Sequence, residues 1–373
     1  MSVTCQTIID QIEQLAPRKL AEEWDNVGLL VGSPSHRVDR VLVALDVTDD
    51  IIDYAIEENV QMIVAHHPFL FRPMKQLRTD WAQGAMIEKL IKNDIAVYAA
   101  HTNLDIAEGG VNDVLAACIG LTEVETLTVT SRQNLVKLVV FVPKESAEEV
   151  RSAIAKAGAG WIGEYSDCAF LADGTGVFMP REGTNPYIGQ EGRLERVQEV
   201  RIETIMPEEM ERRVVRAMLR AHPYEEAAYD IYPLKNTGRE YGLGRIGVLT
   251  EEMPLGAVID RIKEVLGVPA VKFTGSPEQM IRKIAVCGGS GSDLIPRAAM
   301  RGADLLLTAD VKYHDGQKAE ENNIAVADAG HYYTEALIVP VLADYLRAQM
   351  ASSKRKADII TAEGIAKDVF SFR

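Results

Sequence analysis

Ile8, Ile9, Ile12 and Leu15 recur three to four residues apart behind Thr4, a helix pattern that Pro17 ends. Beyond it the apolar spacing changes. Residues 41–45, 62–65 and 95–99 are continuous apolar runs of strand length, and residues 50–59 and 81–93 between them carry helical periodicity. Strands buried on both faces and alternating with helices predict a mostly parallel sheet of the α/β class.

The C-terminal segment repeats this order. VLVALD (41–46) and VQMIVAHH (60–67) align with IAVCGG (284–289) and ADLLLTAD (303–310) at a constant offset of 243, and NDIAVYAAH (93–101) follows NNIAVADAGH (322–331) at an offset of 229 until one extra residue precedes the second histidine. Two similar α/β halves, residues 1–130 and 248–373, are expected to pack together. Residues 131–247 break the pattern, starting with the β-patterned LVKLVVFVP and ending in the Gly-rich GLGRIG. Their succession of strand, helix, short strands through 163–177, strand, helix and strand predicts an inserted α+β domain of ferredoxin-like plan.

Charge and composition narrow the partners. The 373 residues hold 40 Lys and Arg against 55 Asp and Glu, a net charge of −15, the wrong sign for an obligatory nucleic-acid or anionic-membrane partner. The insert, with sixteen basic and eighteen acidic residues, is nearly neutral, so the flanking halves carry almost all of the excess. Cys5, Cys118, Cys168 and Cys287 form no CxxC pair. The first residues lack a basic and apolar leader, and no apolar run reaches the ~18 residues of a membrane span, so a cytoplasmic location is expected.

Histidines collect at strand ends, where open α/β sheets bind their ligands. His66 and His67 follow the run 62–65 directly, and their rings should point to opposite sides of an extended chain. That arrangement suits two neighbouring ions, each taking one imidazole; the plainer alternative is one satisfied and one solvated histidine. Each copy of the repeat also ends in a histidine with an acid four residues on: His101 with Asp105, in a segment read as a loop, and His331 with Glu335, on one helix face. The same spacing occurs in exposed helix pairs of small energetic value. His314, in TADVKYH, is a candidate proton donor or substrate contact, or a surface histidine. Trp24, Asp25 and Asn26, in AEEWDNVGLLVG, either line a pocket or cap a turn. CGGSGSD (287–293) lacks the spacing of phosphate loops and predicts a tight turn, and His222, without a partner histidine, is read as structural.

Together WDNVGLLVG, AHHPFLF, AAHTNLDIAEGGVND, AVCGGSGSD, TADVKYHD and DAGHYYTE resemble, in order and across both halves, the GTP cyclohydrolase 1 type 2 homologues, or NIF-three-like proteins. The middle segment resembles the CutA-like or PII-like insert of the longer bacterial members. The resemblance implies two divalent metal ions per chain, zinc first and manganese or iron as alternatives. It places His67 and Asp105 on one ion and His66 and His331 on the other, with Glu335 bridging and His101 close by but not a ligand. It further implies a toroidal homohexamer of two trimers, and so a trimer of dimers, with the inserts over the ends of the ring.

The expected activity is metal-dependent hydrolysis, in which activated water attacks a phosphoester, an amide or a purine-ring carbon of a small-molecule substrate. His101 or His314 would move protons, and Trp24, Asp25 and Asn26 would line the pocket. GTP ring opening is the activity the family name carries; paired ions suit phosphoester cleavage equally well. The alternative from another class is a non-catalytic metal-binding assembly, a sensor, scaffold or store.

Overall fold

The computed structural model describes residues 3–362 and 364–371. The chain forms two compact units: Arg132–Glu240, and the segments on either side of it, which join in a single unit.

The flanking unit holds two sheets. The first contains β1 (Gly28–Val31), β2 (Arg40–Ala44), β3 (Met62–Ala65) and β4 (Ala96–Ala99); the second begins with β5 (Thr122–Arg132). The insert supplies β6 (Leu135–Pro143), β7 (Phe170–Phe178), β8 (Glu195–Pro207) and β9 (Tyr229–Pro233). After it come β10 (Glu240–Pro254), β11 (Lys272–Phe273), β12 (Met280–Ser290), β13 (Leu305–Ala309), β14 (Ala325–Asp328) and β15 (Asp358–Thr361). The strand orders are β1-β4-β3-β2-β15 and β11-β14-β13-β12-β10-β5. Each sheet therefore has a central parallel trio with an antiparallel strand on one edge, β1 against β4 and β11 against β14. The registers also match: Val41 pairs with Met62 as Ile284 pairs with Leu305, and Met62 pairs with Ala96 as Leu305 pairs with Ala325.

Both faces of each sheet are covered, which is why the central strands read as unbroken apolar runs. On the first sheet Val41, Val43, Met62 and Val64 pack under Ile8, Ile12, Leu342 and Leu346 of the helices Cys5–Leu15 and Ile338–Ser352. The alternate residues Leu42, Ala44, Ile63 and Ala65 pack under Ile51, Ile52 and Leu90 of the helices Asp49–Glu57 and Ala82–Lys92. The second sheet repeats the plan between helices Val111–Cys118 and Leu255–Leu266 on one side and Ile295–Met300 and Tyr313–Glu321 on the other. The opening helix starts where expected, with Thr4 and Thr7 exchanging side-chain and backbone hydrogen bonds in a capping box.

The segments trade end elements. β15 lies beside β2 in the first sheet, and β5 lies beside β10 in the second. The Gly-rich stretch before 247 lies inside β10, a strand of the second sheet, so the compact insert ends at Glu240. Glycine is required there because β5 runs so close that a Cβ on Gly242 would meet the backbone of Thr128.

In the insert, β6, the helix Ala147–Lys156, β7, β8, the helix Glu211–Ala221 and β9 follow one another, and the sheet order is β7-β8-β6-β9. Neighbouring strands are antiparallel, which is the β-α-β-β-α-β ferredoxin-like arrangement. The short strands expected through 163–177 resolve into one strand, β7.

Candidate metal centre

β3 stops at Ala65, but its parallel pairing continues as the amides of His66 and His67 donate to the carbonyls of Ala44 and Leu45. This holds both histidines at the carboxyl edge of the sheet. The His66 ring is buried, and its Nδ1 donates to the Ala100 carbonyl at 2.8 Å, which leaves Nε2 pointing inward. The His67 Nδ1 donates to Asp46 Oδ1 at 2.7 Å, and its Nε2 to Glu335 Oε2 at 2.8 Å. The two rings converge, with centroids 5.1 Å apart, because the chain leaves the strand conformation at this point.

From the second half, the short helix His331–Glu335 places both residues on one face, with His331 Nε2 3.0 Å from Glu335 Oε2. The His331 Nδ1 donates to Asp310 Oδ2 at 2.8 Å. Asp105 lies not in a loop but in the helical turn Thr102–Ile106. That turn is held by distant contacts: the Thr102 amide donates to Asp25 Oδ2, and Asn103 Nδ2 donates to the Ala16 carbonyl. The cluster thus joins His66, His67, Asp105, His331 and Glu335.

Glu335 is almost fully buried among three imidazoles. Burial alone would raise its carboxyl, but hydrogen bonds from His331 and His67 and the attraction of the nearby His66 ring hold it well below the usual range. Burial likewise lowers the His67 imidazole, and its bonds to Asp46 and Glu335 overcome this and lift it to about 10. His331, bonded first to Glu335, rises to about 9. Burial pushes Asp105 up to about 6 against the attraction of His66.

The decisive feature is what these groups leave unmade. His66 Nε2 and Asp105 Oδ1 are buried without a hydrogen-bond partner, 3.5 Å apart, and Glu335 Oε1 lies 3.9 Å from the same nitrogen. Buried polar atoms without partners are expensive, and a cation between them relieves the cost. Imidazole nitrogens and carboxylates are the donor set of divalent transition ions. Donor atoms lying within 4.8 Å of one another group as His66, Asp105, Glu335 and as His67, His331, Glu335, the two sets sharing Glu335. The resemblance implied the opposite exchange of His66 and His67; the bonds to Ala100 and Asp46 set the grouping seen here.

His101 forms a third grouping with His66 and His67. Its Nδ1 donates to Asp25 Oδ1 at 2.9 Å, and Asp25 also accepts from the Thr102 amide and hydroxyl. Burial would raise the Asp25 carboxyl, yet these bonds hold it at about 2. Trp24 is exposed and meets the rings of Phe71 and His101 edge-on. Asn26 instead ties two loops together by donating to the Leu70 carbonyl. His314 is not brought to the cluster: it stands exposed on the first turn of the helix Tyr313–Glu321, bonded to Gln317. His222 is buried in the insert between the Phe141 carbonyl and the Tyr224 amide.

A profile of the Duf34/NIF3 (NGG1p interacting factor 3) family matches residues 3–367. The chain belongs to this family. Two relatives share the description "GTP cyclohydrolase 1 type 2 homolog": one from Halalkalibacterium halodurans, 46% identical over 98% of both chains, and one from Bacillus subtilis, 48% identical over 89% of both. The crystal structure of a Bacillus cereus protein related to NIF3 covers all of this chain and all of its own, at 44% identity and a TM-score of 0.94. In this Duf34/NIF3 chain three site residues escape motif reading: Asp46 and Asp310, which orient His67 and His331, and Gly289, where an added Cβ would collide with the Glu335 carboxylate. Each acid precedes its histidine by 21 residues at the end of the neighbouring parallel strand, a regularity that was available to find them.

Proposed function

We propose that this protein is a hydrolase dependent on two divalent ions per chain, zinc first and manganese or iron as alternatives. His66, Asp105 and Glu335 would hold one ion, and His67, His331 and Glu335 the other. The observation that carries this reading is the facing pair of buried, unpartnered atoms, His66 Nε2 and Asp105 Oδ1. Paired ions in such a site supply Lewis acidity and activate water.

The chain's own residues supply the rest. Asp25, ionised throughout the neutral range, fixes the His101 Nδ1 proton and leaves Nε2 free to accept or return one beside His66 and His67. Trp24 and Phe71 offer exposed ring surface next to His101 for an apolar or planar part of the substrate. A cleft of about 970 Å³ borders His67 and His331, and Lys272 and Lys367 lie on its wall. Lys272 is already paired with Asp328, and Asp46, Asp310 and Asp368 share the wall, so an anionic substrate, a phosphoester or nucleotide, would be held by the ions rather than by these cations.

The matched strand orders and registers support reading the two halves as an internal repeat. The ferredoxin-like order of the insert supports a CutA-like domain, and a toroidal homohexamer is the assembly we propose for the full chain. Elemental analysis of protein purified without chelator should give about two metal equivalents per chain, and the loaded protein should hydrolyse GTP or simple phosphoesters. Absence of metal after reconstitution would refute the assignment. Two bound ions with no hydrolysis across the panel would replace it with the non-catalytic metal store.

A further inference from the structure

The insert contains a cavity of about 340 Å³ between β7, β8 and the segment after the helix Glu211–Ala221. At its base lies Glu199, a β8 carboxylate 9% exposed. One oxygen accepts from the Tyr224 hydroxyl at 3.0 Å; among the described residues no cation pairs with either oxygen. The carboxylate lies across Gly176, where any added Cβ would collide with it, so a glycine makes its place. The walls are aromatic: the Tyr224 ring meets Phe178 at 5.7 Å and Tyr187 at 6.3 Å between centroids. His222 positions Tyr224, receiving its amide on Nδ1 while Nε2 donates to the Phe141 carbonyl. Over the cavity, the Asn185 amide donates to Glu225, which ties the covering loop to the segment that carries Tyr224. Arg181, the one cation lining the cavity, is exposed and makes no ion pair with Glu199 among the described residues.

A buried carboxylate without a counter-charge is costly to the fold. Aromatic faces around it attract cations and exclude water. We propose that this cavity binds a small organic ammonium ion, with the charged nitrogen on Glu199 and the apolar body against Phe178, Tyr187 and Tyr224. The site lies wholly within the insert and is independent of the metal centre.

The test is calorimetric titration of the full-length protein with phenethylammonium and choline, beside phenethyl alcohol and the uncharged carbon analogue of choline. At least one ammonium should bind once per chain, about tenfold or more tighter than its neutral counterpart, and Glu199→Gln should remove that preference. Gly176→Ala, which displaces the carboxylate, should weaken binding as well. Thermal melts give a second readout: without ligand, Glu199→Gln should melt at or above the parent temperature, because it removes an unpaired charge, and should lose the upward shift that the amine gives the parent. No binding of either ammonium, equal binding of charged and neutral probes, or a lowered melting temperature with amine binding intact would overturn the assignment.

Discussion

Filling the metal centre must expel protons. A histidine ligates only as neutral imidazole, so every proton a ligand carries in the metal-free protein is released on binding. With His67 at about 10 and His331 at about 9, both are imidazolium at neutral pH. His66 is raised too, by Asp105 and Glu335 against its burial, whereas Asp105 at about 6 is already mostly ionised. Loading a chain at pH 7 should therefore release about two to three protons. For His67, which is largely buried, three pH units correspond to about 4 kcal/mol of metal affinity withheld at pH 7. His331 is more exposed, so solvent screening reduces its share. The apparent affinity should then rise about 100-fold per pH unit from pH 7 toward 9, as two protons cease to compete.

Calorimetric titration with zinc in buffers of different ionisation enthalpy reads the proton count directly. Asp46→Asn is the internal control, since it removes the bond that helps to raise His67 and should lower the count. Release of less than one proton by the parent, or an affinity flat between pH 7 and 9, would refute the charge state assigned to this cluster.

Stability should follow the same groups. A pKa raised in the folded state stabilises below the unfolded value of 6.5 and is lost as pH climbs through the folded one. Metal-free protein should thus lose melting temperature progressively as pH rises from about 6.5 to about 10 and level off beyond it, and metal-loaded protein should not. Asp310→Asn leaves His331 in place but unoriented and should weaken zinc by about 10–100-fold in a chelator competition. His314→Ala should leave metal content and hydrolysis at parent levels, because among the described residues it is exposed and bonded to Gln317 rather than to the cluster. Arg245 is buried on both oxygens of Asp113 and on the carbonyls of Gly242, Gly244, Ile106 and Ala107, so Arg245→Ala should lower unfolding free energy by about 3 kcal/mol in a denaturant titration.

The parts of the fold that were legible in the sequence are those set by local pattern or by burial on both faces. Val41, Ile63 and Leu306 sit in unbroken apolar runs because helices cover both sides of their strands. Thr4 caps its helix from three residues away. The helical turn at Asp105 was illegible because its support comes from Ala16 and Asp25, more than 70 residues earlier in the chain, while its Asn, Asp and Gly content argues locally for a loop. Glycines around 242–247 were read as the end of the insert, yet they are small because two strands approach closely, which composition alone does not reveal. His66 and His67 were expected to diverge on an extended strand; the chain bends just past Ala65 and turns both rings to Glu335.

The repeat we propose is broken at the two positions where the halves must complement each other. The counterpart of His67 is Asp310, and the counterpart of Asp46 is Gly289. One half gives the proposed ligand His67 and the acid that orients it. The other gives an orienting acid for His331 and, at Gly289, the space that the Glu335 carboxylate fills. Gly289→Ala tests this division, because its Cβ would collide with Glu335 and come within 3.1 Å of His331 Nε2. The backbone there has φ +60°, so alanine also adds about 1–2 kcal/mol of left-handed strain. Gly302→Ala separates the two effects: Gly302 has φ +73° but nothing within 4 Å of the added carbon. Both variants should lose melting temperature to the backbone strain, Gly289→Ala by more because the collision adds to it. Only Gly289→Ala should weaken metal uptake, by about tenfold or more, since it alone moves Glu335, the ligand we propose both ions share. Equal zinc affinity in the two variants would mean that Glu335 does not need this space, and the complementary reading of the halves would fall.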